Sequence, residues 1–209
     1  NLNKSKAFNY TNNTININNL NAKKGSKFNC FIFGSGSKFR KDDYEISLNK
    51  ENSFAKINSA AILKKGEHQE VKTTMFHSQP HCKSHQKIKN ILQDSSKGIF
   101  QGKVLVSKNA QKTDAYQISK GLILDDNAEF STKPELEIYA DDVKCSHGST
   151  SGNIDQDAIY YLMTRGLPKK EAIKLIVKGF LNDVVSEISE PNIKALILDH
   201  LEKNINNEN

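Results

Sequence analysis

The chain has 209 residues, enough for one substantial core or a core with a small appended domain, and a formal charge of +6 from 30 Lys and Arg against 24 Asp and Glu. No apolar run approaches the ~20 residues needed to span a bilayer, and the first residues lack the apolar core of a secretory signal, so no membrane partner is expected. The basic balance permits contact with acidic surfaces, but the lysines are dispersed and do not interleave with aromatics as a stacking platform requires, so no nucleic-acid partner is expected either.

In chain order, residues 1–24 are Asn-rich, with alternating Ile15, Ile17 and Leu20 but little else to offset the ordering entropy. They are expected to be mostly loop or disordered. Because the chain starts with Asn rather than Met, it reads as a soluble piece of something longer.

From residue 25 to about 152 the pattern is a series of short extended runs broken by polar or Gly-containing turns: 27–33, 44–48, 54–63, 71–77, 98–106, 121–124 and 135–143. Alternation is clear in Tyr44, Ile46, Leu48 and in Val71, Thr73, Met75, His77. The class is mainly β. Pattern alone fits a sandwich, a barrel or a parallel β-helix equally well.

Residues 153–209 read as a small helical module. Asp155 suits an N-cap, Ile159, Leu162 and Met163 follow helical spacing, and Gly166 stops the helix. Pro168 suits the first turn of a second helix, whose stripe runs through Ile173, Ile176, Val177, Phe180, Val184 and Ile188. Pro191 ends that element, and Ile193, Leu196, Ile197 and Leu201 predict a third helix.

The most informative stretch runs from 135 to 150. It places a thiol, Cys145, two residues before an imidazole, His147. If it is extended there, both side chains share a face, and a soft and a borderline metal ligand stand together. Neutral imidazole binds iron or zinc without prior ionisation, so His147 is the candidate metal ligand; a structural His is the alternative. Cys145 is either a ligand or sulfur carrier, or an inert buried thiol. The three cysteines, Cys30, Cys82 and Cys145, are odd in number and far apart, which argues against a disulfide framework and for a reducing compartment.

A second group, His77, His81, Cys82 and His85, has metal-binding residue types but lacks the paired knuckles of a zinc site, and Pro80 marks a turn within it; structural roles are expected. Lys112, Thr113 and Asp114, and the neighbouring Asp141 and Asp142, read as turn or ladder residues rather than acid/base pairs. Gly34-Ser35-Gly36-Ser37-Lys38 lacks the spacing of a phosphate-binding loop, so any ATP is handled by another subunit.

Three separated motifs carry a family resemblance: Gln111-Lys112-Thr113-Asp114-Ala115, the Cys145-Ser146-His147-Gly148 stretch, and Asp155 through Tyr160 and Arg165 to Gly166. With Phe76 to Ser84 upstream of them, they resemble the SufB/SufD family of scaffold subunits for iron–sulfur cluster assembly. Gly148-Ser149 stands where SufB-like chains are expected to carry Glu-Ala, so the resemblance is to the SufD branch, over about residues 24–188. It implies a right-handed parallel β-helix followed by the helical module. It also implies a non-catalytic role beside a SufB-like paralogue and an ABC-type ATPase, SufC. In isolation, two copies would pair through the surface meant for SufB.

By the same resemblance, His147 and Cys145 serve cluster assembly at the SufB–SufD interface, with iron or a transient iron–sulfur cluster held by His147. Tyr160, Arg165 and Phe180 become the partner-binding residues of the helical module. The implied setting is a plastid stroma of the apicoplast type, suggested by the Asn and Lys richness, or otherwise the cytoplasm.

The rivals are a β-helix enzyme acting on polysaccharide and a metal-free protein-binding module. The first wants a carboxylate-lined groove and aromatic sugar platforms; the chain has no Trp and no acidic cluster recurring at coil spacing.

Overall fold

The computed structural model describes residues 2–10 and 13–206. Its strands are β1 (Leu2–Tyr10), β2 (Asn13–Asn21), β3 (Lys27–Gly34), β4 (Phe39–Leu48), β5 (Phe54–Leu63), β6 (His68–His77), β7 (Lys83–Leu92), β8 (Lys97–Val106), β9 (Asp114–Ile123), β10 (Glu129–Ile138) and β11 (Lys144–Asn153). Strands β2, β4, β6, β8 and β10 stack in that order in one parallel sheet, and β3, β5, β7, β9 and β11 in another. The chain passes from one sheet to the other at each corner. The result is a parallel β-solenoid of about five turns, with β1 added antiparallel to β2 at its first edge.

Alternation sets the faces. In β6, Gln69, Val71, Thr73, Met75 and His77 are buried while Lys72 is exposed. Inward side chains from successive coils form one apolar column, including Ile46, Leu48, Ile57, Met75, Ile88, Phe100 and Val104, all at 0 % exposure. A column of this kind needs small residues where large ones cross it. At Gly121 a Cβ would lie 2.5 Å from the Phe130 ring, so a side chain there has no room.

The loop expected over residues 1–24 is corrected. β2 is in register with β4, Asn13 beside Phe39 and Leu20 beside Ile46. Ile15 and Ile17 lie on its outward face, 36 % and 40 % exposed, while Leu20 points inward and joins the core. Among the inward Asn residues, Asn16 donates to Asp42 at 2.7 Å, and Asp42 also pairs with Arg40 at 2.7 Å. Here tertiary pairing overrides a composition poor in apolar residues. The run at 135–143 is also two elements: β10 ends at Ile138, a corner follows, and β11 begins at Lys144.

Helices α1 (Gln156–Thr164), α2 (Lys169–Val185) and α3 (Pro191–Asn206) complete the described chain. Asp155 caps α1, accepting from the amides of Asp157 at 2.9 Å and Ala158 at 3.1 Å. Gly166 leaves the helix with φ +92°, a conformation open to glycine. Pro168 stands at the cap of α2, just before its first turn, and Pro191 opens α3. The α2 stripe of Val177, Leu181, Val184 and Val185 packs on Ala60, Ile62 and Ile91 of the β5–β7 outer face, with Ile197 and Leu201 of α3.

Beside that apolar seam runs an ionic one. Glu187 accepts from Asn58 at 3.0 Å and Lys87 at 2.9 Å, and pairs with Lys56. Lys89 reaches Asp183 at 2.6 Å and the Phe180 carbonyl at 2.6 Å, over the Phe180 ring. Partial burial opposes ionisation of Glu187, but its bonds from Lys56, Lys87 and Asn58 outweigh that and hold the carboxyl down to about 2. A carboxyl held below its unfolded value stabilises the docked state above that unfolded value, and the gain fades as pH falls toward 2. Hydrogen exchange in α2 should therefore rise as pH drops from about 4.5 to 2, relative to the β6–β8 core, and Glu187→Gln should flatten that dependence. A pH profile identical in the variant would contradict the seam's role.

Candidate functional site

The last coil differs from those before it because each of its strands is paired on one side only: β10 with β8, and β11 with β9. Cys145, His147 and Ser149 lie in register with Ala115, Gln117 and Ser119, each 1 % exposed. They therefore have inward parity. Cys145 is half-buried against the main core, while His147 is exposed, since among the described residues no further coil stacks over it. Beneath it, Gln117 donates through Nε2 to the Glu135 carbonyl of β10 at 3.4 Å. A shallow open cleft runs along β9 and β11, lined by Asp114, Tyr116, Ile118, Lys144, Cys145 and His147 among others.

The shared face expected for Cys145 and His147 is present. Burial pushes the Cys145 thiol up, partly offset by the Ala115 backbone hydrogen bond, so it is held as a thiol at neutral pH. Among the described residues, no group of three His, Cys, Asp or Glu side chains is arranged to hold a metal ion. Cys145 and His147 are the two side chains of these types that share the inward face of β11.

The second His/Cys group does not converge. His77 is fully buried with Nε2 2.8 Å from Ser84 Oγ, and burial lowers its pKa to about 4, keeping it neutral. His81 is exposed in a turn with φ +59°. Cys82 is buried with Sγ 3.3 Å from the Lys50 carbonyl, and His85 lies outside, stacked on Tyr116 at 4.3 Å between centroids. Lys112 pairs with Asp142 at 3.0 Å, Thr113 bonds the Ala110 carbonyl at 2.7 Å, and Asp114 neighbours Lys83 at 3.6 Å. The Lys112–Asp142 and Lys83–Asp114 pairs link successive coils and the Thr113 bond closes a turn, as expected for turn or ladder residues.

Of the residues assigned to partners, Tyr160 is 69 % exposed and Arg165 lies over the exposed Tyr161, with Nη2 3.2 Å from its hydroxyl. Phe180 is half-buried against the solenoid under Lys89, on a different side of the helical module. Sequence reasoning missed the hydroxyl bridge of the last coil. Ser119 donates to Ser149 at 3.1 Å, and Ser149 shares a 2.5 Å hydrogen bond with Thr132 of β10. The available signal was parity, since Ser149 follows Cys145 and His147 at intervals of two.

Solenoid, open last coil and appended helices together define a coil-stacked protein whose chemistry-bearing side chains wait at one end. Residues 1–180 match the family model for the SufBD core domain of SUF-system FeS cluster assembly. The chain is 39 % identical to the iron–sulfur cluster assembly protein SufD of Escherichia coli over 151 residues, 72 % of this chain and 36 % of that protein. It is 32 % identical to an iron–sulfur cluster assembly SufBD family protein of Synechocystis over 165 residues, 79 % of the chain and 36 % of the relative. Protein ABCI7, chloroplastic, of Arabidopsis thaliana matches at 32 % over 111 residues, 53 % of the chain and 23 % of that protein. The chain belongs to the SufBD family of iron–sulfur cluster assembly proteins, and its matches span about a third of the length of the first two relatives.

The thiols should differ in reach. In the folded protein at neutral pH an alkylating reagent should modify Cys145 slowly and spare Cys82 until unfolding, as mass spectrometry of digested samples would read. Equal modification of the two would contradict the burial described.

Proposed function

We propose that this chain is the SufD-type scaffold of a SufB–SufC–SufD assembly, and that His147 with Cys145 forms one half of the site where iron is acquired and a nascent cluster is built. The observation that carries the reading is the pair of potential ligands with inward parity, left uncovered where the coil stack ends. Iron, and then the cluster, is cargo. Neutral imidazole can donate to it at cytoplasmic or stromal pH, and the thiol can follow once metal lowers its pKa. The remaining donors come from a SufB-like paralogue.

The unpaired edges of β10 and β11 suit that partner. They offer free backbone donors and acceptors along two adjacent strands, the natural template for strand addition. Seating a sister solenoid there would bring its own last coil against His147. A second copy of this chain would use the same edges when the paralogue is absent.

The helical module is read as the dock for SufC. Around α1 the exposed Tyr160, Tyr161 and Met163 stand beside Arg165, a composition typical of protein contact. Phe180 serves this surface from behind, anchoring α2 to the solenoid. In this reading the chain is a non-catalytic subunit, as the scaffold-type relative SufD suggests, and ATP-driven movement of SufC reaches the site through the solenoid. The chloroplastic relative supports a plastid setting, while the apicoplast type rests on the Asn and Lys richness alone and the cytoplasm is the alternative; no helix among the described residues is long and apolar enough to cross a membrane.

In the reconstituted three-subunit complex, His147→Ala should lower the rate of cluster assembly at least roughly tenfold with the thermal midpoint unchanged, since the ring is exposed. Assembly at the parental rate would remove the assignment. Replacing Tyr160 and Arg165 together by Ala should weaken retention of SufC about tenfold or more in pull-down titrations while pairing with SufB persists. Undiminished retention would move the dock elsewhere.

A further inference from the structure

The strand that carries His147 is poorly equipped to hold itself in place. From 146 to 152 it reads Ser, His, Gly, Ser, Thr, Ser, Gly, residues with little to pack, and Asn153 then ends it. A Cβ added at Gly148 or Gly152 would meet nothing within 4 Å, so no neighbour presses on that face. One long edge is also unpaired. Order in this strand depends on β9 on one side and on whatever ties it across the coil.

That tie is the hydroxyl bridge. Ser119 of β9, 1 % exposed, donates to Ser149 at 3.1 Å, and Ser149 meets Thr132 of β10 at 2.5 Å. Three strands are joined through one oxygen, two residues along from His147 on the same face. Earlier coils also join their sheets by hydrogen bonds, as His77 of β6 does with Ser84 of β7 at 2.8 Å, but within a buried core. In the last coil solvent reaches the interior, and the hydroxyl bridge stands with little of that packing around it. Gln117 makes a parallel tie directly beneath His147, reaching the Glu135 carbonyl at 3.4 Å.

We propose that Thr132, Ser149 and Ser119 are positioning residues for His147. Their bridge fixes the twist of β11 relative to β10, and so the direction in which the imidazole is offered to iron. The inference rests on the assembly role proposed above for His147. An imidazole offered from a Gly- and Ser-rich edge strand gains affinity when its direction is fixed before the metal arrives. The bridge supplies that rigidity without covering the ring.

The test uses three variants in the reconstituted complex, each scored for rate of cluster assembly, thermal midpoint and co-purification with the SufB-type subunit. Thr132→Val keeps shape and removes the hydroxyl; it should lower the assembly rate roughly tenfold while midpoint and co-purification stay at parental values. Thr132→Ser restores the hydroxyl and should recover most of the rate. His147→Ala is run beside them.

A parental rate for Thr132→Val, or equal loss in Thr132→Val and Thr132→Ser, would overturn the positioning role. If His147→Ala is impaired and Thr132→Val is not, only the positioning inference falls. If His147→Ala itself assembles clusters normally, the site assignment falls and takes the inference with it. Should Thr132→Val lower the midpoint, Ser149→Ala, an exposed position, replaces it with the same expected loss and the same overturning result.

Discussion

A parallel coil stack can satisfy backbone hydrogen bonds on both edges of every strand except those at its ends, and the site follows from that constraint. Strands β4 to β9 each have a neighbour on either side, whereas β10 and β11 have one. The same position that buries Gln86 and Gln117 inside the stack leaves His147 in solvent. Parity makes the imidazole an interior residue, and termination of the stack makes it an accessible one. A partner that completes the coil would restore the interior and enclose the ligand.

The helical module shows a different economy. Its attachment combines an apolar seam with a cluster of lysines around Glu187 and Asp183, of which Lys89 is buried and Lys56 and Lys87 are partly exposed. The partly exposed pairs contribute modestly to stability, and the cluster as a whole bridges α2 to the sheet. In the assembly proposed above, a movement of SufC would reach β5 and β7 first, because α2 rests on both strands.

Much of this was legible in the sequence where alternation was strong. Val71 to His77 and Tyr44 to Leu48 give inward and outward faces directly, and Asp155 and Gly166 bracket α1 as their chemistry demands. The shared face of Cys145 and His147 followed from a spacing of two. The missed strands share a physical cause: those whose inward positions are polar carry no hydrophobic period. β2 presents Thr14, Asn16 and Asn18 inward and its isoleucines outward, so it read as disorder. β7 buries Ser84 and Gln86, and β11 carries Ser and Gly beyond His147. In each, the fold comes from stacking on a neighbour, which local sequence does not record. The resemblance to the SufB/SufD family supplied the choice among β architectures that periodicity left open, and the family match over residues 1–180 agrees with it.

The central claim is that a sister solenoid covers the last coil and encloses His147. Amide hydrogen exchange of this chain, alone and in complex with the SufB-type subunit, tests it most directly. The account predicts strong new protection confined to β10 and β11 on pairing, with the β4–β7 coils unchanged. Exchange in Lys144–Asn153 that stays as fast in the complex as in the free chain would contradict it.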